Sequence, residues 1–148
     1  MAKKPNWVID KEKARKAETV WLFGLHAVRD ALLNPARTKL RLVVTKNAAD
    51  RLGDAIAQGA IAPEIADPRK FPAPLAPGSV HQGAAMEVQP LDWGPLADIA
   101  VEGGLILCLD RVTDPHNAGA ILRSAEVFGA RAVVAPLRHA APETGALA

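Results

Sequence analysis

Apolar residues recur at spacings of three and four through Leu25, Val28, Ala31 and Leu32, a rhythm that predicts a helix over Gly24 to Leu33, stopped by Asn34-Pro35. Leu40 to Thr45 (LRLVVT) is short and β-branched, which predicts a strand. Ala48 to Gln58 returns to helical spacing, with Leu52, Ala55 and Ile56 on one face and Gly59 positioned to end it. Prolines at 63, 68, 72, 74 and 77 then exclude a long helix or a central strand and predict a connection. Val80 to Val88 (VHQGAAMEV) predicts a strand with an internal glycine, and Leu96 to Val101 a short helix between breakers at Pro90, Gly94, Pro95 and Gly103-Gly104.

The last third has a different pattern. Leu105 to Leu109 (LILCL) is a continuous apolar run, as expected for a strand buried on both faces, with Cys108 a buried small hydrophobe inside it. A polar loop from Asp110 to His116 leads to a helix that Asn117 is suited to cap. Ile121, Leu122, Ala125 and Phe128 form the helix's apolar stripe, Gly129 suits its end, and Ala132 to Ala135 (AVVA) is the next strand. This is a β-α-β unit, predicted to be a right-handed crossover in a parallel sheet.

Composition narrows the function classes. At 148 residues, with 49% hydrophobic and 23% charged residues, the chain has room for one ordinary domain or two small ones and is too short for a barrel enzyme. Its formal charge is only +2, so contact with nucleic acid must come from local patches such as the first eighteen residues, which hold six cations against three anions. The single cysteine excludes an intrachain disulfide and an all-cysteine metal site. No apolar run reaches membrane-spanning length and no signal peptide is visible, so no membrane partner is expected. With three Trp, three Phe and no Tyr, a broad aromatic platform for stacking nucleic-acid bases is disfavoured, so any such contact would rest on shape and phosphate. Candidate contacts are Arg29, Arg37, Lys39, Arg41 and Lys46, with solvated surface charge as the alternative reading.

Candidate chemistry gathers in Asp110 to Gly119 (DRVTDPHNAG), at the carboxyl end of a predicted parallel strand, where ligands of open α/β sheets collect. Neither a G-x-G-x-x-G fingerprint nor a Walker lysine is present, which disfavours a nucleotide site of those kinds. Ala118 and Gly119 would leave the helix start open to an anion. Arg123, about 9 Å further along the helix axis, could lean back toward that mouth and hold a phosphate or a developing oxyanion. Each residue also has a plainer reading: Asn117 as a cap, Arg123 as a solvated arginine, Asp110 and Asp114 as turn formers, His116 as a loop residue without a partner. His26, His81, His116 and His139 show none of the close spacings of a zinc site, so no metal is expected.

The run LDRVTDPHNAGAILRSAEVFGARAVV, Leu109 to Val134, resembles the first signature motif of the SpoU (TrmH-like) RNA ribose 2′-O-methyltransferases of the knotted SPOUT class. Leu22 to Leu33 (LFGLHAVRDALL) and Val80 to Glu87 (VHQGAAME) resemble the start and end of that family's substrate-binding domain. The resemblance is greatest to the enzymes that methylate a guanosine ribose in large-subunit ribosomal RNA. It implies an α/β fold: a small N-terminal substrate-binding domain like the ribosomal proteins that bind kinked RNA, followed by the start of a parallel-sheet methyltransferase domain. The implied organisation is a basic mobile tail at 1–18, the RNA substrate-binding domain at 19–90, a linker at 91–104 and the incomplete catalytic domain at 105–148. The implied catalytic residues are Arg123, which favours alkoxide character at the ribose 2′-oxygen, and Asn117 at the active-site mouth. S-adenosylmethionine is the implied methyl donor, with most of its pocket and the trefoil knot in motifs that would follow Leu147. The chain alone is therefore expected to lack turnover, and the homodimer implied for the full-length family to lose much of its interface. Cytoplasmic location and ribosomal RNA as partner complete the reading; the alternative function is a non-catalytic module that binds structured RNA.

Overall fold

The computed structural model describes residues 18–101, 103–136 and 140–141. Apart from Glu18, the basic stretch expected to be mobile lies outside the described residues, as does His139. The chain divides into two compact units between Leu91 and Asp92.

In the first unit, strands β1 (Val20–Phe23), β2 (Lys39–Val44), β3 (Pro63–Ile65) and β4 (Ala84–Val88) form one sheet in the order β1-β4-β2-β3. β4 runs antiparallel to both β1 and β2, and β3 lies parallel to β2 at the edge. The edge position explains why a proline-rich segment still yields a strand: Pro63 has no amide proton, which an edge tolerates. Between Lys39 and Arg41 the register with β4 shifts, because Lys39 faces Val88 while Arg41 faces the adjacent Glu87. Leu40 is the extra residue of this bulge and lies exposed.

Helices α1 (Leu25–Leu33) and α2 (Lys46–Gly59) pack together over one sheet face. Leu25, Val28, Ala31 and Leu32 of α1 and Ala48, Leu52 and Ala55 of α2 meet Leu22, Leu42, Val44, Ala84, Met86 and Val88 from the strands. The strand residues on this face alternate as period-two geometry requires. The expected helices and the Leu40 to Thr45 strand thus appear within two residues of their predicted bounds.

Other expectations are corrected. β1 precedes the predicted helix, strand, helix order; Val20-Trp21-Leu22-Phe23 is a run of apolar, β-prone residues that pairs with β4 across 65 positions of sequence or so. Val80 to Gly83 are not strand: Gln82 and Gly83 both have positive φ, +51° and +79°, which turns the chain before β4. Gly59 does not end its helix by turning left-handed. Ala60 takes that conformation at φ +52°, and Gly59 is buried where a Cβ would lie 2.6 Å from Leu32 Cδ2. Its missing side chain lets α2 approach α1 closely.

The second unit holds α3 (Leu96–Ala100), β5 (Ile106–Cys108), α4 (Pro115–Val127) and β6 (Ala132–Val134), with β5 and β6 paired in parallel. The β-α-β order therefore matches the prediction, and Gly129 carries the left-handed turn after α4. The expected burial does not appear. Ile106 and Leu107 are half-buried and Cys108 is exposed; among the described residues β6 is the one strand paired with this short strand. Ala118, Gly119 and Ala125 are the buried residues of α4, whereas Val127 and Phe128 are 81% and 78% exposed.

Candidate functional site

The motif loop begins where β5 ends. Leu109 N–H donates to the Val134 carbonyl at 2.7 Å and Ala141 N–H to the Val112 carbonyl at 3.1 Å, so two later segments border the loop. Arg111 holds a left-handed backbone at φ +54°. Asp114, not Asn117, caps α4: its carboxylate accepts the His116 N–H at 3.0 Å and Pro115 occupies the first helical turn. Asp-Pro is a natural start signal, since the carboxylate takes an orphan amide proton and proline fixes a helical φ where no N–H is needed. Asn117 is consequently within the first turn and exposed, as Arg123 is two turns on. The expected open mouth at Ala118 and Gly119 is corrected, because both are buried.

Asp114→Ala removes the cap and lowers stability by about 1 kcal/mol, whereas Asn117→Ala leaves the helix start intact. Amide hydrogen exchange across His116 to Gly119 separates the two, and equal protection loss in both variants would return the cap to Asn117.

The five basic candidates of the first unit fare differently. Arg41 is committed: its Nε and Nη2 donate to Glu64 Oε2 and Oε1 at 2.9 and 3.0 Å, and its guanidinium stands 5.9 Å from the Trp21 ring centroid. Parallel pairing of β2 with β3 brings Glu64 alongside. Arg37 is half-buried and donates through Nη1 to the Gln89 carbonyl. Arg29 is exposed on α1, 4.0 Å from Asp30, and Lys39 is half-buried on β2. Lys46 is exposed at the first position of α2.

Lys46 borders an open cleft of about 600 Å³ at the carboxyl end of β2. Thr45 forms part of its floor and caps α2, its Oγ1 accepting the Ala48 N–H at 3.3 Å. Asn47 and Asp50 flank it on α2, and His81, Gln82 and Gly83 face them from the turn before β4. Gln82, which sequence reasoning left without a role, accepts the Leu25 N–H through Oε1 at 3.0 Å and so caps α1. His81 stacks on Phe71 with ring centroids 4.2 Å apart, and its Nδ1 accepts the Gly83 N–H at 3.1 Å.

A second cleft, of about 460 Å³, lies beside α4 and is walled by Leu105, Leu107, Ile121 and Phe128. Ser124 is its polar residue, and that hydroxyl donates to the Ala120 carbonyl at 3.1 Å. Among the described residues, no cluster of three His, Cys, Asp or Glu side chains could hold a metal ion, and no helix is long and apolar enough to cross a membrane.

A polar loop at the carboxyl end of a parallel strand, leading into a capped helix, is an arrangement of α/β proteins, in which ligands commonly collect at strand ends. Residues 104–147 match the SpoU rRNA methylase family, and residues 21–93 match the RNA 2′-O ribose methyltransferase substrate-binding family. The chain belongs to the SpoU family. It is 38% identical over 133 residues to the 23S rRNA (guanosine-2′-O-)-methyltransferase of Vibrio cholerae, covering 83% of this chain and 53% of that protein. Against the corresponding Escherichia coli enzyme it is 34% identical over 125 residues, 78% of this chain and 51% of the relative. An uncharacterized tRNA/rRNA methyltransferase of Synechocystis is 32% identical over 145 residues, 90% of this chain and 37% of the relative. The chain thus spans about half the length, or less, of these curated relatives.

Proposed function

We propose that this chain supplies the RNA-gripping unit and the first catalytic motif of a guanosine ribose 2′-O-methyltransferase acting on ribosomal RNA in the cytoplasm. The observation that carries the reading is the order of the two family matches, with the motif run Leu109 to Val134 following strand β5 as a loop, a helix and a strand parallel to β5. In this reading residues 19–90 bind RNA, 91–104 link, and 105–148 open a knotted catalytic domain. The first unit then has the architecture of ribosomal proteins that bind kinked RNA, and the complete protein dimerises through the knotted part. Arg29, Lys39 and Lys46 take phosphates; Arg41 and Arg37, engaged with Glu64 and Gln89, hold the fold around them.

Arg123 and Asn117 act at the target ribose. The guanidinium is permanently charged and favours the ionised form of the 2′-oxygen, while its planar fork can grip the adjacent phosphate. Asn117, beside the helix start, orients the nucleotide through its amide.

The family's methyl donor is S-adenosylmethionine, which needs polar partners for an adenine, a ribose diol and an amino-acid head. The cleft beside α4 does not fit it: the walls are apolar and the one hydroxyl is spent on backbone. Residues 1–148 alone are therefore proposed to bind RNA without turnover.

The salt dependence of binding to an unmodified 23S rRNA fragment tests the RNA-gripping role. Each phosphate neutralised releases counterions, so three lysine or arginine contacts give a log–log slope of about −2 to −3. Binding indifferent to salt would remove the phosphate contacts from the proposal.

A further inference from the structure

The cleft at the start of α2 has a chemistry that phosphate contact does not use. Among the described residues, the side chains of Lys46, Asn47 and Asp50 engage in no hydrogen bond or ion pair, although Lys46 and Asp50 stand one helical turn apart. His81 accepts the Gly83 N–H at Nδ1, so the neutral ring carries its proton on Nε2 and is a donor there. One face of that ring is covered by Phe71, and the ring lines the cleft. The volume, about 600 Å³, is within the range of small-ligand sites.

We infer that this cleft receives one unstacked guanine of single-stranded RNA, at a position other than the reacting ribose. The inference rests on the proposed RNA-gripping role of the first unit. A carboxylate accepts two parallel hydrogen bonds, and guanine is the base that offers two adjacent donors, N1–H and N2–H, on its Watson–Crick edge. Adenine would turn its N1 lone pair against the same carboxylate. The Asn47 amide is a donor that suits the guanine O6, and Lys46 meets the neighbouring phosphate. Unstacked bases of single-stranded RNA are commonly held in this way, stacked on a ring and read along one edge.

The test uses the 148-residue chain and two five-nucleotide RNAs, a central guanine or a central adenine in a uridine background, with amide chemical shifts as readout. The expected result is binding at least about tenfold tighter for the guanine oligomer, with shifts at Asn47 and Gly83. Asp50→Asn should abolish the preference while the variant keeps its melting temperature, and Lys46→Ala should weaken both oligomers equally. Equal binding of the two oligomers by the unaltered chain, or shifts confined to the motif loop, would overturn the inference. A 23S rRNA fragment separates the two levels: if it binds while the oligomers show no preference, only the guanine site falls. If neither oligomer nor fragment binds, the RNA-gripping role falls with it.

Discussion

Gly83→Ala is expected to unfold the first unit at a temperature lower by about 10–20 °C. The residue has φ +79°, where an L side chain costs about 1–2 kcal/mol. The added Cβ would lie 2.4 Å from Thr45 Oγ1 and 3.1 Å from Thr45 Cγ2. Thr45 is buried and already tied down, its hydroxyl capping α2 and its N–H donating to the Gly83 carbonyl at 2.8 Å, so it has little room to yield. Overpacking of this kind costs a further 1–3 kcal/mol or so, giving about 3 kcal/mol in all. A domain of this size loses about 4–8 °C per kcal/mol. Thermal unfolding followed by circular dichroism measures the shift, and a double-mutant cycle assigns it. Thr45→Ala alone loses its cap, but in the Gly83→Ala background it should recover the steric share. A fully additive pair would show that the cost is backbone strain alone.

Arg123→Ala is expected to lower methyl transfer by about 10²- to 10³-fold, the usual loss when one charge-stabilising group is removed from a developing anion. The measurement needs a complete enzyme, such as residues 1–148 joined to the C-terminal half of the Vibrio cholerae relative, assayed on unmodified 23S rRNA. RNA affinity should change little, because Arg29, Lys39 and Lys46 remain. Arg123→Lys should recover part of the rate, since lysine keeps the charge but lacks the planar fork. Turnover unchanged in the alanine variant would sink the role assigned to Arg123. A fall in affinity that accounts for the whole loss would instead make it a binding residue.

What the sequence could reveal was local. The stripe Leu25, Val28, Ala31, Leu32 and the run Leu40 to Thr45 announce their elements, because each pattern is complete within a dozen residues. Two misreadings were correctable from neighbours in the chain: Val20 to Phe23 is a plain strand signal, and Asp114-Pro115 is a stronger helix start than Asn117. The rest depended on partners far away. Arg41 reads as a free cation until the β2–β3 register sets Glu64 beside it. Gly59 reads as a terminator until Leu32 is packed against it. The cleft draws on positions 45–50, 66–68 and 81–83, and no motif spacing joins them. Cys108 reads as interior because its run is apolar, but burial depends on what covers a strand, which composition does not record.

The turn before β4 also bears on how the chain is made. Gln82 completes the first turn of α1 from 57 residues downstream, and Gly83 seats on Thr45, the cap of α2. β4 then fills the place between β1 and β2. During synthesis α1 leaves the ribosome with its start unfinished and the sheet still open in the middle. The first unit can close only once residues 82–88 have emerged, so its folding is a late, single event and not a gradual accumulation of turns.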